Sequence, residues 1–366
     1  VVGLAENLPP KALFMKPHPA VWNAPSLSAE PLFFVRAEGH PHATARLLLK
    51  PHAAPKLTRA TGEVAYEAGR DFVWTPGSRE VVLTAGSRIP FRREEELLPP
   101  PGAPDSIGTS RDGTRHLLYG EGHFFHDQQV LADYAPAEPW GGPHPAADLA
   151  GLARTLARLR SREPLKIVLL GDSISTGANA SGPMGAPPHH PAYQDLVVAG
   201  LHVRYGGEVS LTNLAVGGMS APWGVEQMPA AIAAAPDLFI LAFGMNDASG
   251  RRPPADFREL TRQMAAAMQA ARPACDVIAV ATMTANPVWQ YAAPDLYPAY
   301  LAGLNALRAP GFAVADVTTP WSWIVSRKSY YDLTGNGVNH PNDFGHRLYA
   351  DVILALFDGR KQGQAL

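Results

Sequence analysis

A single cysteine, Cys275, is all that the 366 residues contain. A lone thiol excludes an intrachain disulfide and any metal site built from clustered cysteines, and it leaves the compartment open. Charge of one sign is lacking too: 31 Lys and Arg face 33 Asp and Glu, a formal net charge of -2 with a pI near 6.7. Such a balance gives no electrostatic case for nucleic acid or an anionic membrane as partner. No apolar run reaches the roughly eighteen residues of a membrane span. The opening "VVGLAENLPPKALF" shows neither a basic leader nor an apolar signal core. No internal repeat is evident.

What the chain does have is a core-forming composition, 46% hydrophobic and 17% charged, over a length sufficient for two domains. Its 36 prolines and 33 glycines are interleaved with apolar residues, which implies many tight loops rather than disorder. The pattern changes near residue 150. Before it, short alternating runs such as "PLFFVRAEG", "ARLLLKPH", "GEVAYEAGRDFVWTPGSREVVLTAGS" and "RHLLYGEGHFFHDQQVLADY" are bounded by turn residues. They predict a β-rich, sandwich-like domain over residues 1–147. "APAEPWGGPHPAADL" reads as a linker. "DLAGLARTLARLRSRE" follows with helical spacing and an apolar face of Leu149, Leu152, Leu156 and Leu159.

From there on, the apolar runs "LKIVLLGDS", "VSLTNLAVGG", "DLFILAFGMND", "DVIAVATMT" and "FAVADVT" alternate with helical stretches. That alternation predicts a parallel sheet covered on both faces over residues 148–366. Chemistry in such sheets gathers at the carboxyl ends of the strands. Four short motifs fall there. "GDSIS" (171–175) sets Ser173 on a strand-to-loop turn, where it is either a nucleophile or a plain helix-capping turn. "NLAVGG" (213–218) ends on Gly218, whose N–H can approach a ligand with no side chain in the way. "GMNDAS" (244–249) offers Asn246 as a neutral donor for an oxyanion, or as a loop cap. "NGVNHPNDFGH" (336–346) holds His340 and His346.

Any one motif has an ordinary structural explanation. In this order on one β-α-β scaffold they supply a nucleophile, oxyanion donors and a base. The set resembles the SGNH (GDSL-type) hydrolases, matching their GDS, strand-end Gly, G-x-N-D and C-terminal D-x-x-H-P-N blocks at Ser173, Gly218, Asn246 and His340. The resemblance covers roughly residues 165 to 358. It implies a flavodoxin-like three-layer α/β/α fold and ester hydrolysis with no metal or organic cofactor. Ser173 would attack the ester, His340 would take its proton, and Ser173, Gly218 and Asn246 would bind the oxyanion.

The chain departs from the family where the acid belongs. Three positions before His340 stands Gly337, with Asn336 one further back. Asp332 can loop back to the imidazole, Asp343 can approach from the far side, or Asn336 or a backbone carbonyl can orient a Ser-His dyad; Asp332 is taken as the acid. His346 reads as a surface or capping residue at the start of the last helix. "PPHHP" (187–191) reads as a stiff loop near the cleft, with no acidic partner in the surrounding sequence to make a metal site. His123 and His126, placed on a strand, would face opposite sides, which disfavours a chelate.

For substrate, no broad apolar lid is evident, which disfavours long-chain lipids. Trp223, Trp289, Trp321, Trp323, Tyr330 and Tyr331 near the strand-end loops suit either sugar rings or core packing. A β-rich module before such a hydrolase also resembles two-domain carbohydrate esterases. The expectation is therefore a serine esterase that O-deacetylates a carbohydrate or polysaccharide, periplasmic or secreted, with no nucleic-acid or membrane partner. A general short-chain carboxylesterase, a thioesterase, and a non-catalytic glycan-binding protein on the same scaffold are the alternatives.

Overall fold

A computed structural model describes residues 19–358; the opening "VVGLAENLPPKALF" lies outside them. The first part is β-rich, as its alternating runs predict. One sheet is wholly antiparallel, in the order Leu27–Leu32, Val130–Tyr134, Lys56–Arg59, Ala65–Tyr66. A second, five-stranded sheet runs Phe72–Trp74, Glu80–Leu83, Thr44–Arg46, Val35–Arg36, Arg92–Arg93, antiparallel except for its last pair. Alternation along the strands sends Leu57, Val130 and Ala132 of the first sheet, and Ala45, Val81 and Leu83 of the second, into the interior.

No helix or named strand lies between Tyr134 and Ala153. Helix α1 (Ala153–Arg160) then buries Leu156 and Leu159, with Leu152 just ahead of it. Leu149, expected on that face, precedes the helix and is 37% exposed.

Five parallel strands follow: β1 (Leu165–Gly171), β2 (Val209–Asn213), β3 (Leu238–Ala242), β4 (Asp276–Ala281) and β5 (Phe312–Asp316). Their spatial order is β2-β1-β3-β4-β5, every pair parallel. This is the flavodoxin-like order, and the near-continuous apolar strands β3 and β4 are buried along their whole length. Helix α2 (Tyr193–Tyr205) joins β1 to β2 and packs on α1 and on the last helix, α5 (Asp343–Ala355). Helices α3 (Pro254–Ala271) and α4 (Leu296–Asn305) carry the chain the other way along the sheet and pack on each other. Because such crossovers are right-handed, the reversal puts the two helix groups on opposite faces. The order reverses at β1, so the crevice at its carboxyl end is where a ligand site belongs. Ser173 lies two residues beyond that end.

The two parts share one hydrophobic core, which runs from Leu27, Leu57 and Val130 through to Val168, Trp321 and Tyr349. A buried ionic network also crosses between them. Lys328 Nζ donates to Glu30 Oε1 at 2.6 Å and to the Arg46 carbonyl at 2.8 Å, and it lies 3.6 Å from Asp332 Oδ2. Glu30 also accepts from Leu48 N–H and the Tyr134 hydroxyl, so its charge is fully partnered where no water reaches it.

Candidate active site

Ser173 sits in the turn after β1, held by its neighbour. Asp172 is buried, and its Oδ1 accepts the Ile174 N–H at 3.0 Å. Burial pushes its pKa up to about 7. The local-backbone role of this aspartate is that of a turn-former. The chain after β2 runs on alongside this turn: Leu214 and Val216 N–H groups donate to the Leu169 and Gly171 carbonyls, and Asn213 Nδ2 donates to Ser175 O at 2.7 Å. That brings Gly217 and Gly218 beside the serine; a Cβ on Gly217 would stand 3.7 Å from Ser173 Cβ. Gly218 turns through a left-handed backbone at φ +80°, open to solvent.

The third motif is tied to the second. Asn246 Nδ2 donates to the Met219 carbonyl at 2.9 Å, so one amide hydrogen is used and the other is left for a ligand. Asp247, buried, accepts from Ala221 N–H and from Arg252 Nε at 2.6 Å, clamping the two loops together. The Ser173 and Gly218 N–H groups have no acceptor among the described residues.

His340 arrives from the other side of the crevice. Its Nε2 lies 2.8 Å from Ser173 Oγ, across 167 residues of sequence. The other ring nitrogen, Nδ1, lies 2.7 Å from Asn179 Oδ1. Asn179 Nδ2 donates to the Gly122 carbonyl at 2.8 Å and the Gly335 carbonyl at 3.1 Å, so the amide cannot be turned round. Its oxygen must face the ring, which puts the imidazole proton on Nδ1 and leaves Nε2 free to accept from serine. Asn179 adopts φ +62°, a left-handed conformation that asparagine tolerates. Burial holds the His340 pKa below the ordinary value, while the negative charge of Glu121 pulls it back up.

The expected acid is corrected by this geometry. Asp332 makes no contact with His340: its Oδ1 accepts the Phe33 N–H at 2.6 Å and its Oδ2 the Ser329 N–H at 3.1 Å, with Lys328 alongside. Burial pushes it up to about 6 against the pull of that lysine. It is a short-helix cap turned towards the β-rich half. Asp343 is also committed elsewhere, to the Ser181 N–H at 2.7 Å. Asn336 Oδ1 accepts the N–H groups of Val338, Asn339 and His340, shaping the turn that presents the histidine. Its Nδ2 comes within 3.1 Å of Nδ1, but a donor cannot satisfy a protonated ring nitrogen; Asn339 Oδ1, also at 3.1 Å, is its acceptor.

Gly337 explains why no aspartate stands three before His340. At φ +94°, a Cβ there would meet the Leu118 carbonyl at 2.4 Å and the Phe125 ring at 2.9 Å. The β-rich half fills the space an acid would need.

Three histidine readings change. His346 is fully buried, not on the surface: its Nε2 donates to the Ala178 carbonyl at 3.0 Å, and burial lowers its pKa to about 4. It therefore holds the chain next to Asn179. His123 and His126 lie in a turn and a short 3-10 helix rather than a strand. His126 reaches across to the Pro187 carbonyl at 2.7 Å, and His123 pairs with Asp127 at the surface. His190 Nδ1 does have an acidic neighbour, Asp343 at 4.0 Å. Among the described residues no three His, Cys, Asp or Glu side chains are grouped to hold a metal ion.

Asn179 was not singled out in the sequence, and only its place six residues after Ser173, in "STGANASG", could have marked it. Of the aromatics, Trp321, Tyr330 and Tyr331 are buried core residues, and Trp323 packs on Trp140 with ring centroids 4.4 Å apart.

Residues 169–348 match the GDSL-like Lipase/Acylhydrolase family. No curated protein matches the chain. Among solved structures it is similar to a two-domain esterase (CEX) active on acetylated mannans, at 22% identity and a TM-score of 0.47 over 60% of this chain. It spans only 57% of that esterase's length. It is also similar to TesA, at 20% identity over 52% of this chain and 97% of that one, with a TM-score of 0.40. A carbohydrate esterase family 3 protein from Talaromyces cellulolyticus matches at 19% identity over 52% and 94%, with a TM-score of 0.39. With the family's blocks brought together at the switch point of its parallel sheet, residues 169–348 of the α/β half form a GDSL-like lipase/acylhydrolase family region.

Proposed function

We propose that the protein is a serine esterase that removes short acyl groups, acetyl foremost, from a carbohydrate. The observation that carries the catalytic part is the Ser173–His340–Asn179 chain, with contacts of 2.8 and 2.7 Å. Ser173 Oγ attacks the ester carbonyl as His340 Nε2 takes its proton, and the tetrahedral oxyanion is met by the Ser173 and Gly218 N–H groups and the free hydrogen of Asn246 Nδ2. His340 then gives the proton to the departing alkoxide. Water, deprotonated by the same nitrogen, hydrolyses the acyl-enzyme. Asn179 keeps the ring in the tautomer both half-reactions need, the role asparagine has in Cys-His-Asn hydrolases.

A short acyl group is supported by the surface around the serine. Of the large apolar residues exposed among the described ones, only Val216 lies on the loops carrying Ser173, Gly218 and Asn246. That is too little apolar surface for a long chain. A carbohydrate leaving group is supported by the β-rich half walling the histidine side of the crevice, where Gly122 and Leu118 touch the catalytic loops. A polymeric substrate of this kind would place the enzyme in the periplasm or outside the cell.

The test is acetate release from acetylated mannan, xylan and chito-oligosaccharides, set against nitrophenyl acetate, butyrate and octanoate and an acyl thioester. Activity on acetylated glycans, lost in Ser173→Ala, is expected. Turnover of octanoate or thioester alone would overturn the carbohydrate assignment, and no Ser173-dependent turnover would leave only a glycan-binding role.

A further inference from the structure

His340 is oriented by a neutral amide, so the imidazolium formed in each half-reaction has no carboxylate against its Nδ1. Asp332 and Asp343 are bonded to backbone N–H groups elsewhere, and Asp172 is turned into its own loop. Among the described residues one carboxylate remains, and it comes from the β-rich half. The segment 118–125 lies on the catalytic loops: Gly120 N–H donates to the Asn336 carbonyl at 3.3 Å, and the Gly122 carbonyl accepts from Asn179 Nδ2. Glu121, between those two glycines, is thereby fixed between both residues that touch His340 Nδ1. Its Oε1 is 3.5 Å from Asn336 Nδ2, itself 3.1 Å from Nδ1. The Tyr119 hydroxyl donates to the same Oε1 and holds the side chain in place.

Resting on the esterase reading above, we infer that Glu121 is a positioning residue of the reaction: a counter-charge, supplied by the β-rich half, that stabilises the His340 imidazolium across the Asn336 amide. It takes over electrostatically what an aspartate at position 337 would do, from the same segment whose Leu118 carbonyl and Phe125 ring close that position. The other titratable ring packed near His340 is His346, which burial keeps neutral above about pH 4, so it opposes nothing in the working range. Among the described residues, Glu121 is the group whose charge raises the His340 pKa against burial. The carboxylate is exposed, so salt screens it.

The sign follows. Removing a nearby negative charge lowers the His340 pKa, so the acid limb of the kcat/KM profile moves to lower pH while the plateau falls. Profiles on nitrophenyl acetate are compared for the parent, Glu121→Gln, Glu121→Asp and Tyr119→Phe at about 0.01 and about 1 M salt, where the screening length shrinks from ~30 to ~3 Å. The His340 ring titration is followed in parallel by imidazole NMR. At low salt Glu121→Gln should shift the limb and the ring pKa down by about half a unit and cut the plateau about threefold, the difference vanishing at high salt. Glu121→Asp should keep part of the effect, and Tyr119→Phe should weaken it. Superposable profiles and ring titrations at low salt would overturn the inference, as would a fall in plateau with no movement of the limb at either salt concentration. A ring pKa that falls in Glu121→Gln in a protein without Ser173-dependent turnover would support the electrostatic coupling while removing the esterase reading.

Discussion

In the proposed mechanism Asn179 does the work usually given to a carboxylate, and its surroundings explain why it is an amide. Its Nδ2 points at two carbonyl oxygens, those of Gly122 and Gly335. An aspartate in its place would set a second anionic oxygen against both, a repulsion that leaves the buried Gly335 carbonyl without a donor and costs about 1–3 kcal/mol. An amide oxygen fixes the tautomer but adds no charge, so its loss should cost less than the roughly ten-thousandfold seen when a triad's aspartate is neutralised. Asn179→Ala should lower kcat about ten- to a hundredfold with KM little changed, because the ring remains near Ser173 but loses its fixed orientation. Steady-state kinetics on nitrophenyl acetate read this directly. Ser173, Gly218, Asn246 and His340 could be named in advance because each is a chemical type at a strand end. Asn179 could not: it lies in a turn, and its partner is 161 residues away.

The element that carries the proposed base, His340, is the turn 334–342 leading into α5. Asn342 caps that helix through the Gly345 N–H at 3.2 Å, and its Nδ2 donates to the Asp332 and Gln129 oxygens. Thr334 Oγ1 accepts the Gly337 N–H at 2.8 Å, so the loop is closed on itself before His340 emerges. Restoring the family's acid by Gly337→Asp should therefore break the element rather than improve it. The side chain would enter the Leu118 carbonyl from a left-handed backbone, and we expect a loss of about 3 kcal/mol or more in urea unfolding, with no gain in turnover. The parallel sheet and its helices were legible because period and apolar run length decide them locally. The turn was not, since what forbids a side chain at 337 is a carbonyl 219 residues earlier in the chain. The strand expected across His123 and His126 failed for a related reason: "GEGHFF" turns to bring Phe125 against Tyr331, with ring centroids 6.0 Å apart, and that contact belongs to tertiary structure.

At the scale of the whole molecule, the β-rich half contributes to a shared interior. Its core is continuous with that of the α/β half, and the buried Glu30–Lys328–Asp332 network joins the two. Asp332 belongs to that joint: it takes the Phe33 N–H of one half and the Ser329 N–H of the other. Asp332→Ala should cost about 2–4 kcal/mol of stability, from two orphaned donors and a less compensated lysine, while folded molecules turn over within about tenfold of the parent. The arrangement of charge in the site thus depends on contacts between halves that no single stretch of sequence displays. The most direct measurement is kcat per folded molecule on an acetyl ester for Ser173→Ala, Asn179→Ala and Asp332→Ala side by side, at a temperature where all three are folded. Turnover is expected to disappear in the first, to fall ten- to a hundredfold in the second and to be largely kept in the third. Turnover lost in Asp332→Ala but kept in Asn179→Ala, or kept in Ser173→Ala, would contradict that expectation.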